Sequence, residues 1–119
     1  MTLRHWRALL LALMVVGVLF AVRPLVPRQS PETLFLHSDK LLHVLYFALL
    51  WVMARRAGFA AAWPLVLTLL GYGVFIEVAQ SLAPTQRAAS LSDVAADAGG
   101  IALAWCVTAY RSARQPEEN

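Results

Sequence analysis

Apolar residues form four long runs along the chain, separated by short polar segments. The runs cover residues 8–22, 41–54, 59–82 and 91–110. A helix needs about 20 residues to cross about 30 Å of hydrocarbon, and the third and fourth runs reach that length unaided. The first and second runs reach it when their flanking polar residues are counted. The pattern therefore predicts an all-α bundle of four transmembrane helices, at approximately residues 6–23, 39–56, 61–82 and 91–110.

The segments between the runs carry residues that stop helices. Three prolines between residues 24 and 31 predict a non-helical link through residue 38, because proline has no backbone N–H to donate. Ala57 and Gly58 predict a tight turn, and Pro64 suits the first turn of the third helix. The polar tail, residues 111–119, is expected to be disordered. Residues 1–119 are thus predicted to form a single transmembrane domain.

The composition supports a membrane protein. Hydrophobic residues make up 60% of the chain and charged residues only 14%, whereas a soluble domain of this size exposes much more polar surface. The net charge is +3, but the bases lie at the ends of apolar runs rather than on one exposed face. That placement argues against a nucleic-acid partner. The single cysteine, Cys106, excludes an internal disulfide and is expected to be a small, buried apolar side chain.

The distribution of basic residues predicts the orientation of the helices. With four spans, the amino end, the turn at Ala57 and the carboxyl end share one side of the membrane. Six of the ten basic residues fall on that side and four on the other. The six are Arg4, Arg7, Arg55, Arg56, Arg111 and Arg114, and the four are Arg23, Arg28, Lys40 and Arg87. Cytoplasmic segments are enriched in Lys and Arg, so both ends are predicted to be cytoplasmic.

Ionisable residues within the apolar runs share one depth. Such residues are costly inside a membrane and usually mark a specific role. Antiparallel helices bring the start of the second run, the end of the third and the start of the fourth to the outer side. At each of these three helix ends, polar residues and glycines recur at i, i+4 and i+7, which places them on one face of the helix. The pattern predicts a polar pocket in the outer leaflet, where glycines allow close approach of the helices. The three sets are Asp39, His43 and Tyr46; Gly73, Glu77 and Gln80; and Asp93, Asp97 and Gly100.

The residue types in this predicted pocket suit proton transfer or the binding of a polar group. The catalytic candidates are His43, as a base oriented by Asp39, together with Glu77 and Asp97. The binding candidates are Lys40, Gln80, Arg87 and Asp93, with the Arg87 guanidinium suited to a phosphate.

Structural roles are open for several of the same residues. Asp39 after Ser38 would cap the second helix, and Ser90 with Asp93 has the spacing of a capping box. Lys40 would serve as an interface anchor or an ion-pair partner. The acids outnumber the bases in the pocket, which favours a bound cation. However, the sequence has no compact ligand motif, so neither a metal nor a cofactor is expected.

These motifs resemble those of the VanZ-like family of small bacterial membrane proteins. The resemblance covers the last three helices, about two-thirds of the chain, and departs from the family at Asp97, where Asn is usual. It lies in Ser-Asp-Lys-Leu-Leu-His at 38–43 followed by Tyr46, in Gly-Val-Phe-Ile-Glu-Val-Ala-Gln at 73–80, and in Arg-Ala-Ala-Ser-Leu-Ser-Asp-Val-Ala-Ala-Asp-Ala-Gly-Gly at 87–100. It implies a multi-span protein of the bacterial inner membrane. The family is named after a protein that lowers susceptibility to the glycopeptide teicoplanin, and no reaction is established for the family as a whole.

Three functions remain open on the sequence. The first is a non-catalytic envelope protein that binds a lipid, a glycopeptide target or another membrane protein. The second is a membrane enzyme that acts on a lipid headgroup or on a lipid-linked envelope precursor. The third is a small proton-coupled transporter, which four spans could build only as an oligomer. Membrane lipids are the expected partners in each case.

Overall fold

Four α-helices make up the fold: α1 (Leu3–Ala21), α2 (Thr33–Arg56), α3 (Trp63–Leu82) and α4 (Leu91–Arg114). A computed structural model describes residues 2–22, 33–82 and 91–114, and for residues 33–39 it describes the backbone alone. All secondary structure in these ranges is helical, as the sequence predicts. The predicted disorder of the tail concerns residues 115–119, which lie outside the described ranges, whereas residues 111–114 continue α4.

Two helix starts differ from the prediction by three residues or more, and α3 begins at Trp63, two residues after its predicted start. α1 begins at Leu3 rather than near residue 6, because Thr2 and His5 form a capping box that satisfies the first backbone N–H groups. α2 begins at Thr33 rather than at residue 39. The last proline of the link is Pro31, and no helix breaker follows it. Asp39 therefore lies inside α2, and the interpretation of Asp39 as an amino-terminal cap is wrong.

The turn between α2 and α3 has the predicted place and a defined hydrogen-bonding pattern. Gly58 has a positive φ of 97°, which glycine adopts without the steric cost that a Cβ would bring. The Phe59 N–H donates to the Ala54 carbonyl at 3.1 Å, and the Gly58 N–H donates to the Arg55 carbonyl at 3.1 Å. This is a Schellman motif, which ends α2 and turns the chain back. Pro64 lies in the first turn of α3, as predicted.

α2 is the central helix of the bundle. Its side chains Phe47, Leu50 and Trp51 are completely buried, and they form the core with Leu69 of α3 and Ile101 of α4. α4 runs parallel to α2, with Lys40 beside Asp93 at one end and Trp51 stacked on Trp105 further along. α1 and α3 run in the opposite direction. Cys106 of α4 is exposed, so the prediction that it is buried is wrong.

Three helices have the length and composition of membrane spans. Among the described residues, α1, α3 and α4 are long and apolar enough to cross a membrane. α2 is not one of the three, so the fourth predicted span stays a prediction.

Aromatic and basic side chains join α1 to the turn at one end of the bundle. Arg7 Nε donates to the Ala57 carbonyl at 3.0 Å, and the Arg7 guanidinium lies 5.6 Å from the centre of the Phe59 ring. Arg56 lies over Trp6 at 5.5 Å. This basic end contains no acidic residue among the described ranges. The predicted grouping of the amino end with the turn is therefore a real feature of the fold.

Candidate functional site

The polar residues of α2, α3 and α4 lie together at the end of the bundle opposite the arginines. Four of them are buried: Glu77 is 3% exposed, Gln80 4%, Asp93 7% and Asp97 1%. We call this group, together with Lys40 and His43, the polar cluster. Of the eight residues predicted for the pocket, the structure brings together these six. The other two, the Asp39 side chain and Arg87, lie outside the described residues.

His43 connects α2 to α4 through two carboxylates. Its Nδ1 lies 2.6 Å from Asp97 Oδ1, and its Nε2 lies 3.8 Å from Asp93 Oδ2. With Asp97 ionised, Nδ1–H donates to it, which fixes the ring orientation and turns Nε2 toward Asp93. The sequence paired His43 with Asp39 of its own helix. The Asp39 side chain lies outside the described residues, so that pairing stays a prediction. The structure supplies an orienting carboxylate from α4, which the parallel packing of α2 and α4 brings alongside His43.

Lys40 lies at the exposed rim of the polar cluster. Its Nζ donates to Ser92 Oγ at 2.9 Å and lies 3.3 Å from Asp93 Oδ1. The Lys40 side chain is 44% exposed. Lys40 is therefore an ion-pair partner, one of the two structural roles open on the sequence. Ser92 was not predicted as a site residue, and its only signal in the sequence is a hydroxyl next to Asp93 in the first turn of α4. The predicted capping box remains a prediction, since Ser90 lies outside the described residues.

Three side chains of the polar cluster could hold a cation. Donor atoms of His43, Glu77 and Asp93, one from each of the three helices, lie within 4.8 Å of one another. Nitrogen and carboxylate oxygen are ligands for divalent transition metals. The Lys40 ammonium pairs with Asp93 and would repel a metal cation bound to the same carboxylate. The expectation that no metal binds stays a prediction.

Two glycines set the spacing of the helices around the polar cluster. A Cβ at Gly73 would lie 2.6 Å from Asp97 Oδ2, so this glycine leaves room for the carboxylate. A Cβ at Gly100 would overlap the backbone carbonyl of Val44, so this glycine allows α4 to approach the α2 backbone directly. These contacts agree with the packing role that the sequence predicts for both glycines.

Two tyrosines attach α1 to the rest of the site. Tyr46 OH donates to the Leu13 carbonyl at 2.9 Å, and Tyr72 OH donates to the Met14 carbonyl at 2.5 Å. The two hydroxyl oxygens are 2.9 Å apart. Gly17 provides the space for both hydroxyls on α1. The sequence placed Tyr46 on the polar face but gave no signal for Tyr72.

A cavity of about 330 Å³ lies between α1, α2 and α3, directly beside the polar cluster. His43 and Gln80 form its polar part, and the remaining walls are apolar except for the Tyr46 hydroxyl. The walls are Leu13, Val16, Gly17, Phe20, Ala21, Leu42, Tyr46, Phe47 and Ile76. Pockets with few polar groups on apolar walls are typical of sites for small amphipathic molecules.

Comparison with known proteins leaves the sequence and geometry as the only guides to function. No family model, curated protein or solved structure matches the chain. The resemblance to VanZ-like proteins therefore stays a prediction from the three motifs.

Proposed function

We propose that this chain is a VanZ-like protein of the bacterial inner membrane that binds an envelope lipid or lipid-linked molecule without transforming it. Four spans would place the arginine-rich end and both chain ends in the cytoplasm, and the polar cluster in the outer leaflet. The proposal rests mainly on one observation: buried carboxylates and His43 lie next to an apolar cavity of about 330 Å³. A headgroup and a hydrocarbon chain can thus be bound side by side.

The depth of the polar cluster supports an outer-leaflet site. Helices rise 1.5 Å per residue, so Glu77 lies about 21 Å along α3 from Trp63, and Asp97 about 21 Å along α4 from Arg111. With the basic ends at the inner boundary of about 30 Å of hydrocarbon, both carboxylates lie about 9 Å below the outer boundary. A phospholipid or lipid-linked precursor in that leaflet can reach this depth laterally.

A membrane enzyme is the second candidate, and the His43–Asp97 pair favours it. A histidine held at 2.6 Å by a buried carboxylate has the arrangement of a general base with its orienting acid. Glu77 would then share or position a proton near the substrate headgroup. The two functions predict different products: a binding protein returns its lipid unchanged, and an enzyme releases an altered headgroup.

Complementation of a strain that lacks the protein tests the proposed function. His43→Ala, Glu77→Gln and Asp97→Ala are expected to reach normal membrane levels and to lose protection against glycopeptide or envelope stress. Thr68→Val and Thr108→Val are matched controls, because within the described ranges their hydroxyls bond to backbone carbonyls of their own helices. Retained protection by all three cluster variants at normal protein level would overturn the proposal. Altered headgroups in lipid extracts from wild-type cells would favour the enzyme.

A further inference from the structure

We infer that the arginine-rich end of the bundle binds an anionic phospholipid, with Arg7 and Arg55 on its phosphate and the start of one acyl chain in a second cavity, between α1 and α3. This site lies at the opposite end of the bundle from the polar cluster, so the inference does not depend on the proposed function. Three observations carry it: an excess of positive charge, two arginines held on one turn, and an apolar cavity that begins beside them.

The positive charge of this end is not balanced by carboxylates within the described ranges. All acidic positions in those ranges lie at the other end of the bundle, and no arginine forms an ion pair within them. Basic side chains at the ends of membrane helices favour anionic headgroups. The arginines of this end are Arg4, Arg7, Arg55, Arg56, Arg111 and Arg114.

Two of these arginines are held against the turn and keep most of their N–H groups for a ligand. Arg7 donates from Nε to the Ala57 carbonyl at 3.0 Å, and Arg55 donates from Nη1 to the Phe59 carbonyl at 2.6 Å. These are the only hydrogen bonds of the two exposed side chains within the described ranges. Because a guanidinium has five N–H donors, both Nη groups of Arg7 and Nη2 of Arg55 can donate to phosphate oxygens.

A cavity of about 350 Å³ begins directly beside these arginines. Phe59 lines it at the turn, and the same residue contacts Arg7 through its ring and Arg55 through its carbonyl. Ala54 and Leu69 form the buried base of the cavity, at 0% and 2% exposed, whereas Phe59 is 45% exposed. The cavity therefore opens to the surface of the bundle next to the two guanidinium groups.

The position and lining of the cavity suit the upper part of an acyl chain. Its wall on α1 runs from Leu10 to Met14, about 6 Å of helix, and starts about 4.5 Å beyond Arg7. All lining side chains except Thr68 are apolar, and the Thr68 hydroxyl bonds to the Pro64 carbonyl. A phosphate on the arginines would thus place the first methylene groups of its lipid at the cavity. A soluble anion has no group that these apolar walls favour.

Native mass spectrometry of the delipidated protein tests this inference. The probes are phosphatidylglycerol and phosphatidylethanolamine with identical acyl chains, together with glycerol 3-phosphate, which carries the anion without a chain. We expect phosphatidylglycerol to bind at least tenfold more tightly than phosphatidylethanolamine and at least a hundredfold more tightly than glycerol 3-phosphate. Equal binding of the two lipids would show that the arginines do not select the headgroup. Equal binding of glycerol 3-phosphate would show a site for soluble anions, and either result would overturn the inference.

Arginine substitutions locate the phosphate. Arg7→Gln and Arg55→Gln should each lower the affinity for phosphatidylglycerol at least fivefold and leave the affinity for phosphatidylethanolamine unchanged. Arg114→Gln is the matched control, because Arg114 lies over the ring of Tyr110 and bonds to its hydroxyl, within α4. An equal loss in Arg114→Gln would mean that the positive charge acts at long range, and the site on the turn would be wrong.

Two alanine substitutions locate the acyl chain. Ala62 lines the cavity, so Ala62→Phe should fill part of it and weaken phosphatidylglycerol binding at least tenfold. Ala12 is exposed on α1 and outside the cavity, so Ala12→Phe should leave binding unchanged. A phosphatidylglycerol with a diazirine early in one chain should label residues 10–14 or 59–65. Wild-type affinity in a folded Ala62→Phe variant, labelling confined to other segments, or lipid-free dimers formed through this surface would refute the site.

The lipid site and the proposed function can fail separately. His43→Ala changes the polar cluster at the other end, so it should leave labelling of residues 10–14 and 59–65 unchanged. If the cluster variants lose protection while phosphatidylglycerol shows no preference, only the lipid site is wrong. If phosphatidylglycerol binds as predicted while the cluster variants protect fully, only the proposed function is wrong.

Discussion

Gly73→Ala should damage the polar cluster while leaving the helix bundle folded. The added Cβ would lie 2.6 Å from Asp97 Oδ2, and ordinary contact begins at 3.4 Å. The atom that must move is the end of a side chain, so the backbone need not shift. Asp97 must yield by about 0.8 Å, and its Oδ1 holds His43 at 2.6 Å.

The displacement of Asp97 weakens its hydrogen bond with His43. A displacement of this size lengthens it to as much as about 3.4 Å, beyond the usual range for a hydrogen bond. Hydrogen bonds to charged groups contribute about 1.5–3 kcal/mol. Full loss of the bond would thus weaken a function that depends on it by about tenfold to a hundredfold. In α3 itself, alanine is favoured over glycine by about 0.5–1 kcal/mol, which offsets part of the strain.

Two readouts measure this effect. The His43 Nδ1–H proton resonance, assigned with a His43→Gln variant, should disappear or move sharply upfield in Gly73→Ala. Protection in the complementation assay should fall at unchanged membrane level. Gly71→Ala is the control, because a Cβ at Gly71 meets no atom within 4 Å. If Gly73→Ala matches Gly71→Ala in both the resonance and protection, the cluster geometry described above is incorrect.

Three further predictions concern packing and metal content. Gly100→Ala brings a Cβ against the Val44 backbone carbonyl, which cannot rotate away, so overpacking should cost about 1–3 kcal/mol and lower the melting temperature in detergent. A Cβ at Gly99 meets no atom within 4 Å, so the control Gly99→Ala should melt no lower than wild type. Equal melting temperatures for Gly99→Ala and Gly100→Ala would contradict the close contact between Gly100 and Val44. Tyr72→Phe removes the bond to Met14, so hydrogen exchange in α1 should accelerate several-fold, whereas unchanged protection would show that α1 is held by other contacts. Elemental analysis of the purified protein should find no stoichiometric divalent metal, and a one-to-one metal content would overturn that expectation.

The architecture was largely accessible from the sequence, because it follows from local patterns. The apolar runs predicted four helices, and Ala57 and Gly58 predicted the turn that the structure contains. The i, i+4, i+7 spacing also predicted the polar face of each helix. Helix starts were less accurate. Proline excludes a helix up to Pro31 but gives no information on the residues that follow it.

The contacts between side chains of different helices in the site could not be predicted from the sequence in the same way. The sequence joined His43 to Asp39 because both lie on one helix face, but the contact with Asp97 depends on how α2 and α4 align. That alignment is set by Gly100 against the Val44 backbone and by the stacking of Trp51 on Trp105. The bonds from the tyrosine hydroxyls to α1 depend likewise on tertiary packing. No periodicity within a single helix carries this information.

The proposed function places the polar cluster at the outer side of a bundle that spans the membrane. Labelling of single cysteines in intact cells with a membrane-impermeant maleimide tests it most directly, in a Cys106→Ala background. Leu91 is 87% exposed at the end of the bundle that holds the polar cluster, and Ala60 is exposed in the turn at the arginine-rich end. We predict that Leu91→Cys reacts in intact cells and that Ala60→Cys reacts only after permeabilisation. The reverse pattern would place the polar cluster in the cytoplasmic leaflet and contradict the account.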